Sequence, residues 1–493
     1  MTGLQITVGI ISVPIVAATL SLFSFFSPRV LDIIAKTSAV LVMVLWLLGY
    51  GHLRSEGVID TTFFHVDALS LWFLLALSLI YLMITLVSKI FLEREAEDYA
   101  AIARYEHNYY ALVHVFIAVM LAVCCTSNVG IMWICVEATT LISALLVAFR
   151  FSKKSIEAAW KYVMVCTVGI CFALLGTIIL YYAQMVSGLL ADPMDALDWD
   201  WLLSNSHVLD KSLIKYAFLF IFVGYGTKLG IAPMHTWLPD TYSQAPSTIS
   251  GLLSGGLSTC VIFVLVKNLL IVRQCLDHDF VSYLLLFFGV LSILLTPPFM
   301  FVQREIKRLF AYSSVENIGL LIIALALDSA TAYMGFLIFV LNHAVIKFVL
   351  FYVAGRLMYD FGSDNIMRIH GLTIATPRLS RILLFAALAI SGMPPFGIFF
   401  GKIYIIQAIF AKGYIWLGIA VLVLLVAVFL GFFYHIIRML SDNPYKKVEA
   451  FEGLDSWVMM IALGCSALTV LLFTEVGNSL LLDAVKILSG VVR

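Results

Sequence analysis

The stretch from Gly224 to Gly251, GYGTKLGIAPMHTWLPDTYSQAPSTISG, holds the residues best placed to do chemistry. Lys228 stands inside an apolar helical run, Pro233 follows five residues later, and His235, Trp237, Pro239 and Asp240 precede the next apolar run. An ionised side chain at the centre of a bilayer costs roughly 2.5–3.5 kcal/mol on insertion scales, so such residues usually face an interior cavity and serve a pathway. Proline removes its own backbone donor and pushes away the carbonyl four residues back, here that of Leu229, beside the lysine. Non-helical backbone at membrane depth survives only where protein or water satisfies it. A titratable amine next to a broken helix therefore reads as a midplane ion site.

Other ionisable residues fall inside apolar runs. Glu137 lies in WICVEATTLIS, with Trp133 one turn before it and Thr140 one turn after. A lone buried carboxylate goes neutral, whereas a nearby ammonium keeps it charged, so Lys228 is its expected partner. Buried pairs contribute little net stability, which makes a working role the better reason for having one. Glu316, in AYSSVENIG, holds the corresponding place in a later run. His343 and Lys347 are four apart and share a helical face; an imidazole can take and hand on a proton near neutrality. Lys402 follows a second interruption at Pro394-Pro395. His235 and Asp240 are expected to guard an entrance at the end of the broken helix. Lys267, near the end of its run and close to Arg273, is expected to snorkel to the interface. The Glu93–Asp98 and Arg304/Lys307/Arg308 clusters read as solvated surface charge.

The elements that must carry these groups are membrane helices. The chain has 493 residues, 62% hydrophobic and 12% charged, with mean hydropathy +1.04. Runs of about 20 apolar residues can span a bilayer, and fourteen occur, near 6–26, 33–52, 66–92, 109–125, 129–149, 158–186, 213–237, 246–272, 280–302, 310–328, 331–358, 379–411, 414–440 and 456–475. The first is longer than a signal sequence core and lacks a cleavage site, so it reads as a retained span. Alternate loops hold 19 and 8 of the 30 Lys and Arg, with three inside spans. The richer side is cytoplasmic by the positive-inside rule, which places both termini outside the cell's inner membrane. The seventh and twelfth runs each pair a lysine with a proline break. The five-span offset between them is odd, so two five-helix units would be inverted relative to one another. The chain then divides into 1–105, 106–275, 276–440 and 441–493. Eight cysteines without CxxC spacing exclude iron–sulfur and zinc sites of the usual kinds, and no cofactor or metal is expected. No basic tract suited to nucleic acid occurs.

Several segments, in order, carry a resemblance: MWICVEATTLISALLV with EAAWKY, GTKLGIAPMHTWLPD with SQAP, REIKRLFAYSSVENIG, LNHAVIKFVLF and SGMPPFG. Over roughly residues 105–410 the chain resembles the antiporter-like subunits shared by respiratory complex I, Mrp-type cation/proton antiporters and membrane-bound hydrogenases, with most likeness to the hydrogenase-4 component F group. The resemblance implies a fourteen-helix fold with two inverted five-helix units. It also implies that Glu137 and Lys228 gate proton uptake, that His343 and Lys347 continue the line, and that Lys402 is the exit residue. Two departures stand out. Many members carry a lysine or histidine deep in the eighth helix, where this chain has Ser254, Ser258 and Thr259, with Lys267 placed late. The chain also ends at Arg493 without the long lateral helix of the outermost complex I subunit.

The expected function is proton, or sodium/proton, translocation as a membrane subunit of a larger energy-converting complex. Bringing any lysine from about pKa 10.4 to 7 takes about 4.6 kcal/mol, whereas 100 mV supplies about 2.3 kcal/mol per charge. An external driver is expected, so the partners are other membrane subunits and a peripheral catalytic module of hydrogenase or NADH-quinone oxidoreductase type. The competing readings are a non-conducting scaffold and an ion-coupled subunit of a small-anion or inorganic-carbon uptake complex. No nucleotide loop, metal motif or nucleophile–base set points to an independent enzyme.

Overall fold

The computed structural model describes residues 2–23, 27–98, 104–189, 192, 195–441, 453–469 and 478–490. Lys446, Lys447, Arg493, the end of the run at 456–475 and the side chains of residues 95–98 lie outside that description. The chain folds almost entirely into helices: α1 Gly3–Ser21, α2 Pro28–Ser55, α3 Ala68–Asp98, α4 Glu106–Cys125, α5 Val129–Val147, α6 Lys153–Val186 and the short α7 Trp199–Asn205. There follow α8 Lys211–Leu229, α9 Trp237–Gln244, α10 Ser247–Cys275, α11 His278–Phe301, α12 Ile306–Ala326 and α13 Ala330–Phe361. The last are α14 Pro377–Ser391, α15 Gly397–Ala411, α16 Ile415–Leu440, α17 Leu454–Leu468 and α18 Asn478–Leu488.

Among the described residues twelve helices are long and apolar enough to cross a membrane, against the fourteen runs in the sequence. The difference has a local cause. The run at 379–411 is cut after Ser391, leaving α14 and α15 with 15 residues each. The run at 456–475 is described as helix only over the 15 residues of α17. Both fall short of the ~20 residues a crossing needs.

Burial sorts the helices into a centre and a rim. The spanning windows of α10 and α13 are wholly buried and that of α12 nearly so. Around them α1, α2, α5, α6, α11 and α16 expose large apolar side chains such as Leu145, Trp160, Phe287 and Trp416. Contiguous apolar surface on this scale is what lipid or partner subunits cover. Two glycines let backbones meet inside this arrangement. A Cβ at Gly224 of α8 would stand 2.5 Å from the Ala173 nitrogen of α6, and one at Gly255 of α10 would stand 2.5 Å from the Ala344 carbonyl oxygen of α13. Small residues at helix crossings are how membrane helices approach closely.

A small antiparallel hairpin, β1 Ile59–Asp60 with β2 His65–Val66, caps one face together with α7. Beneath it Lys267 of α10 is buried, and its Nζ lies 2.8 Å from Asp67 Oδ2 and 3.6 Å from the centre of the Trp199 ring. Lys267 therefore does not snorkel. Its counter-ion comes from 200 residues earlier in the chain, a partner that spacing along one helix does not reveal. His65 extends the cluster, with Nε2 3.4 Å from Asp67 and Nδ1 2.7 Å from Asp200. Burial disfavours its charged form, but the carboxylates of Asp200, Asp60 and Asp67 outweigh that and raise the imidazole to about 10.

Two outcomes follow. Gly255→Val should force α10 off α13 and cost about 1–3 kcal/mol, read as a lower midpoint of thermal unfolding in detergent. Because the His65 pKa lies above its unfolded value, its ion pairs stabilise the fold fully below about pH 6.5 and lose that effect as pH rises through about 10. The midpoint difference between the wild type and His65→Asn should thus be largest in acid and shrink in alkali. A difference that does not vary with pH would contradict the ion-pair assignment.

Candidate functional site

The first half of the line is built where α8 stops. Gly230 takes a left-handed conformation at φ 79°, and the chain does not resume helix until Trp237. The backbone groups freed by this break find partners: the Trp237 indole N–H donates to Thr227 O at 2.8 Å, Ile231 N to Gly226 O at 2.9 Å, and Ala232 N to Ser292 Oγ at 3.0 Å. That satisfaction is what lets an interrupted helix persist among apolar neighbours. Lys228 sits in the last turn of α8 with 2% of its surface exposed.

Lys228 and Glu137 do not touch directly. The Lys228 ammonium donates to Thr140 Oγ1 and, at 3.4 Å, to Val136 O. The Thr140 hydroxyl in turn donates to Glu137 Oε2 at 3.1 Å, and the Thr167 hydroxyl of α6 donates to Glu137 Oε1 at 3.2 Å. One threonine therefore accepts from the amine and donates to the carboxylate. The direct pair expected from the residue types is replaced by a bridge, because Thr140 lies one turn beyond Glu137 and faces α8. The Tyr162 ring, 5.5 Å from Lys228 Nζ, closes the other side.

The second half joins where the first is parted. Lys402 Nζ lies 3.0 Å from Glu316 Oε1 and donates to Ser391 O, the last residue of α14, at 3.4 Å. The break after Ser391 begins with Gly392 in a left-handed conformation at φ 82°, where a Cβ would stand 2.8 Å from Lys402 Cδ. Beside this pair a cavity of about 10 Å³, with Ser313, Glu316, Ser391 and Lys402 on its polar side and apolar side chains of α14 and α16 on the other, has room for about one water.

Lys347 and His343 occupy α13 between the halves. Lys347 is fully buried and donates to Phe310 O at 2.8 Å and to Ser313 Oγ. Its partners are neutral oxygens. His343 is buried as well, and its Nε2 has no hydrogen-bond partner among the described residues. Next to Ser313, Ser314 shares a hydrogen bond of 2.9 Å with Ser254 of α10. This contact falls in a π-helical turn over Leu253–Leu257, a distortion often found at functional positions. Ser258 and Thr259 instead bond their own helix, at Leu253 O and Gly255 O.

Three of the sequence candidates lie away from this line. His235 is 8% exposed and sits against the rings of Phe299 and Tyr312. Asp240 belongs to a partly exposed group with Arg308 and Lys161. Lys267 belongs to the hairpin cluster described above. One buried amine departs from the surface charge expected of its cluster: Lys307 is 1% exposed and donates to Ala245 O at 2.6 Å and Ser250 Oγ at 3.4 Å. Its seven-residue spacing from Ser314 places both on one face of α12, a signal that was available in the sequence.

Comparison with known proteins gives the family and the fold. Residues 126–429 match the family described as NADH:quinone oxidoreductase/Mrp antiporter, TM. A hydrogenase-4 component F homolog of Methylacidiphilum infernorum (isolate V4) is 32% identical over 71% of this chain and 73% of its own length. An NADH-quinone oxidoreductase subunit N of Desulforudis audaxviator (strain MP104C) is 29% identical over 70% of this chain and 66% of its own. In fold, a chain of the membrane-bound sulfane sulfur reductase, an archaeal respiratory membrane complex, superposes with a TM-score of 0.85 at 19% identity, covering 99% of this chain and 100% of that one. The broken helices, the buried amines and these likenesses lead to one conclusion: the chain is a multi-pass membrane protein that belongs to the NADH:quinone oxidoreductase/Mrp antiporter family.

Proposed function

We propose that this chain is an ion-translocating membrane subunit of a multi-subunit energy-converting complex, moving protons, or protons in exchange for sodium, through its buried amines. The observation that carries the reading is the hydroxyl bridge Lys228–Thr140–Glu137. With a proton taken up on Glu137 and the Lys228 amine neutral, the Thr140 hydroxyl accepts from the acid while its own proton passes to the amine, so two short transfers load Lys228 and replace a charge crossing through oil. The second half repeats the acid and the amine as Glu316 and Lys402, in direct contact. Parting that contact would withdraw the carboxylate that favours the charged amine, and the proton would move on. Lys347, held by neutral oxygens, and the Ser254–Ser314 contact stand between the halves. His343, with its unbonded Nε2, adds a second titratable group on the same helix.

In this reading the interruptions after Leu229 and Ser391 are the corresponding breaks of two inverted five-helix units, within fourteen crossings whose termini face outward. The relatives named above include a hydrogenase component homolog and a subunit of an NADH-quinone oxidoreductase, which favours membrane partners and a peripheral redox module as the driver. A non-conducting scaffold would have no use for Lys228 and Lys402 each set beside a helix break and linked to an acid.

The test is proton pumping by the assembled complex in vesicles. Lys228→Met and Glu137→Gln should each lower pumping at least about tenfold, a loss of about 1.4 kcal/mol in the governing barrier, while assembly is unchanged. Thr140→Val should do the same and Thr140→Ser should restore most of the rate, since only the hydroxyl is required. Full pumping by both Lys228→Met and Thr140→Val would refute the pathway. In the second half, Glu316→Gln should leave Lys402 without its counter-ion, so that the amine takes up a proton less readily and pumping falls, and the double variant with Lys402→Met should be no slower than Lys402→Met alone. Additive losses in that double-variant cycle would place the two residues on separate paths.

A further inference from the structure

A groove of about 520 Å³ runs between α14 and α17 on the rim of the molecule, away from the buried line. Arg378 and Arg381 stand at one end, in the first turns of α14, and Trp457 stands in the first turn of α17. The remainder is apolar, with Phe385 at 48% exposure, and it has a trough at Gly464, where an added Cβ would meet nothing within 4 Å. Among the described residues, Arg378 lies over the Trp457 ring at 5.5 Å and Arg381 Nε donates to Pro377 O at 3.1 Å. Neither arginine meets a carboxylate there.

We infer that this groove binds one anionic phospholipid, its phosphate on Arg378 and Arg381 and one acyl chain along α17. Three observations point to that occupant. Two guanidiniums with no carboxylate partner among the described residues sit together at the end of the groove, and α14 begins there with Pro377 and no side-chain cap, so the positive end of its dipole faces the same place. Arginine forks match phosphate oxygens. Among the described residues the groove follows ten residues of helix from Trp457 to Ala467, about 15 Å, long enough to seat an acyl chain over one half of the ~30 Å hydrocarbon core. A tryptophan at the charged end is the residue type that marks the headgroup level. A partner helix would have no need of paired positive charge at one end.

The experiment is native mass spectrometry of the full chain extracted in mild detergent, followed by titration with phosphatidylglycerol and phosphatidylcholine. The wild type should retain an anionic lipid and prefer phosphatidylglycerol. The double variant Arg378→Gln/Arg381→Gln should weaken that binding about thirtyfold. Gly464→Phe keeps both arginines but fills the trough, and it should also lose the lipid, which separates seating in the groove from attraction of a headgroup or free phosphate alone. Equal retention of both lipids, unchanged binding in either variant, or cross-linking of Trp457→Cys to a partner subunit in the intact complex would each overturn the assignment. Unchanged pumping in all these variants is expected, so failure here leaves the proton pathway standing.

Discussion

An ammonium surrounded by hydrocarbon must be given oxygen, and among the buried lysines three stand along the line of acids and hydroxyls. Lys228, Lys347 and Lys402 are each at least nine-tenths buried, and each finds a different set of oxygens: a threonine hydroxyl, a carbonyl with a serine hydroxyl, and a carboxylate. A continuous helix keeps its carbonyls for itself, so the interruptions after Leu229 and Ser391 are where the backbone turns aside beside an amine. The left-handed glycines Gly230 and Gly392 make both turns possible, since side chains with a Cβ rarely adopt that conformation. The close crossings at Gly224 and Gly255 then bring α8 onto α6 and α10 onto α13.

The acid and amine pairs are captured in different arrangements. Glu137 and Lys228 are parted by Thr140, while Glu316 and Lys402 are in contact. A direct buried pair holds its proton on the amine, whereas a hydroxyl between the partners shortens each transfer and weakens the attraction. A pathway that opens and closes needs both arrangements within reach. Their coexistence in one chain indicates that neither is excluded by the packing around it. Because buried ion pairs contribute little net stability, the reason for keeping them is better sought in proton movement than in holding helices together.

Much of this was legible in the sequence, for identifiable reasons. Lys228 and Pro233 stand out because a charge and a proline are both costly in an apolar run, and Glu137, Glu316, Lys347 and Lys402 stand out on the same ground. Helix number was less legible. Hydropathy sums across the break at 392–396, so one run at 379–411 hides two short helices. Pairings were least legible, because they join distant segments. Lys267 reads as a snorkelling residue until Asp67 arrives from the hairpin, and Lys307 reads as surface charge until Ala245 and Ser250 close over it. Thr140 was visible beside Glu137, but its place between acid and amine depends on how α5 meets α8.

Everything turns on whether protons can pass between the halves, from Lys228 through the Ser254–Ser314 contact to Lys347 and Lys402. The most direct measurement is a cryo-electron microscopy map of the assembled complex at a resolution that shows ordered water. A file of waters linking Lys228 Nζ to Ser254 Oγ, and Ser313 Oγ to the Glu316–Lys402 pair, is the predicted result. Dry, close-packed side chains separating these groups in every resolved conformation would contradict it.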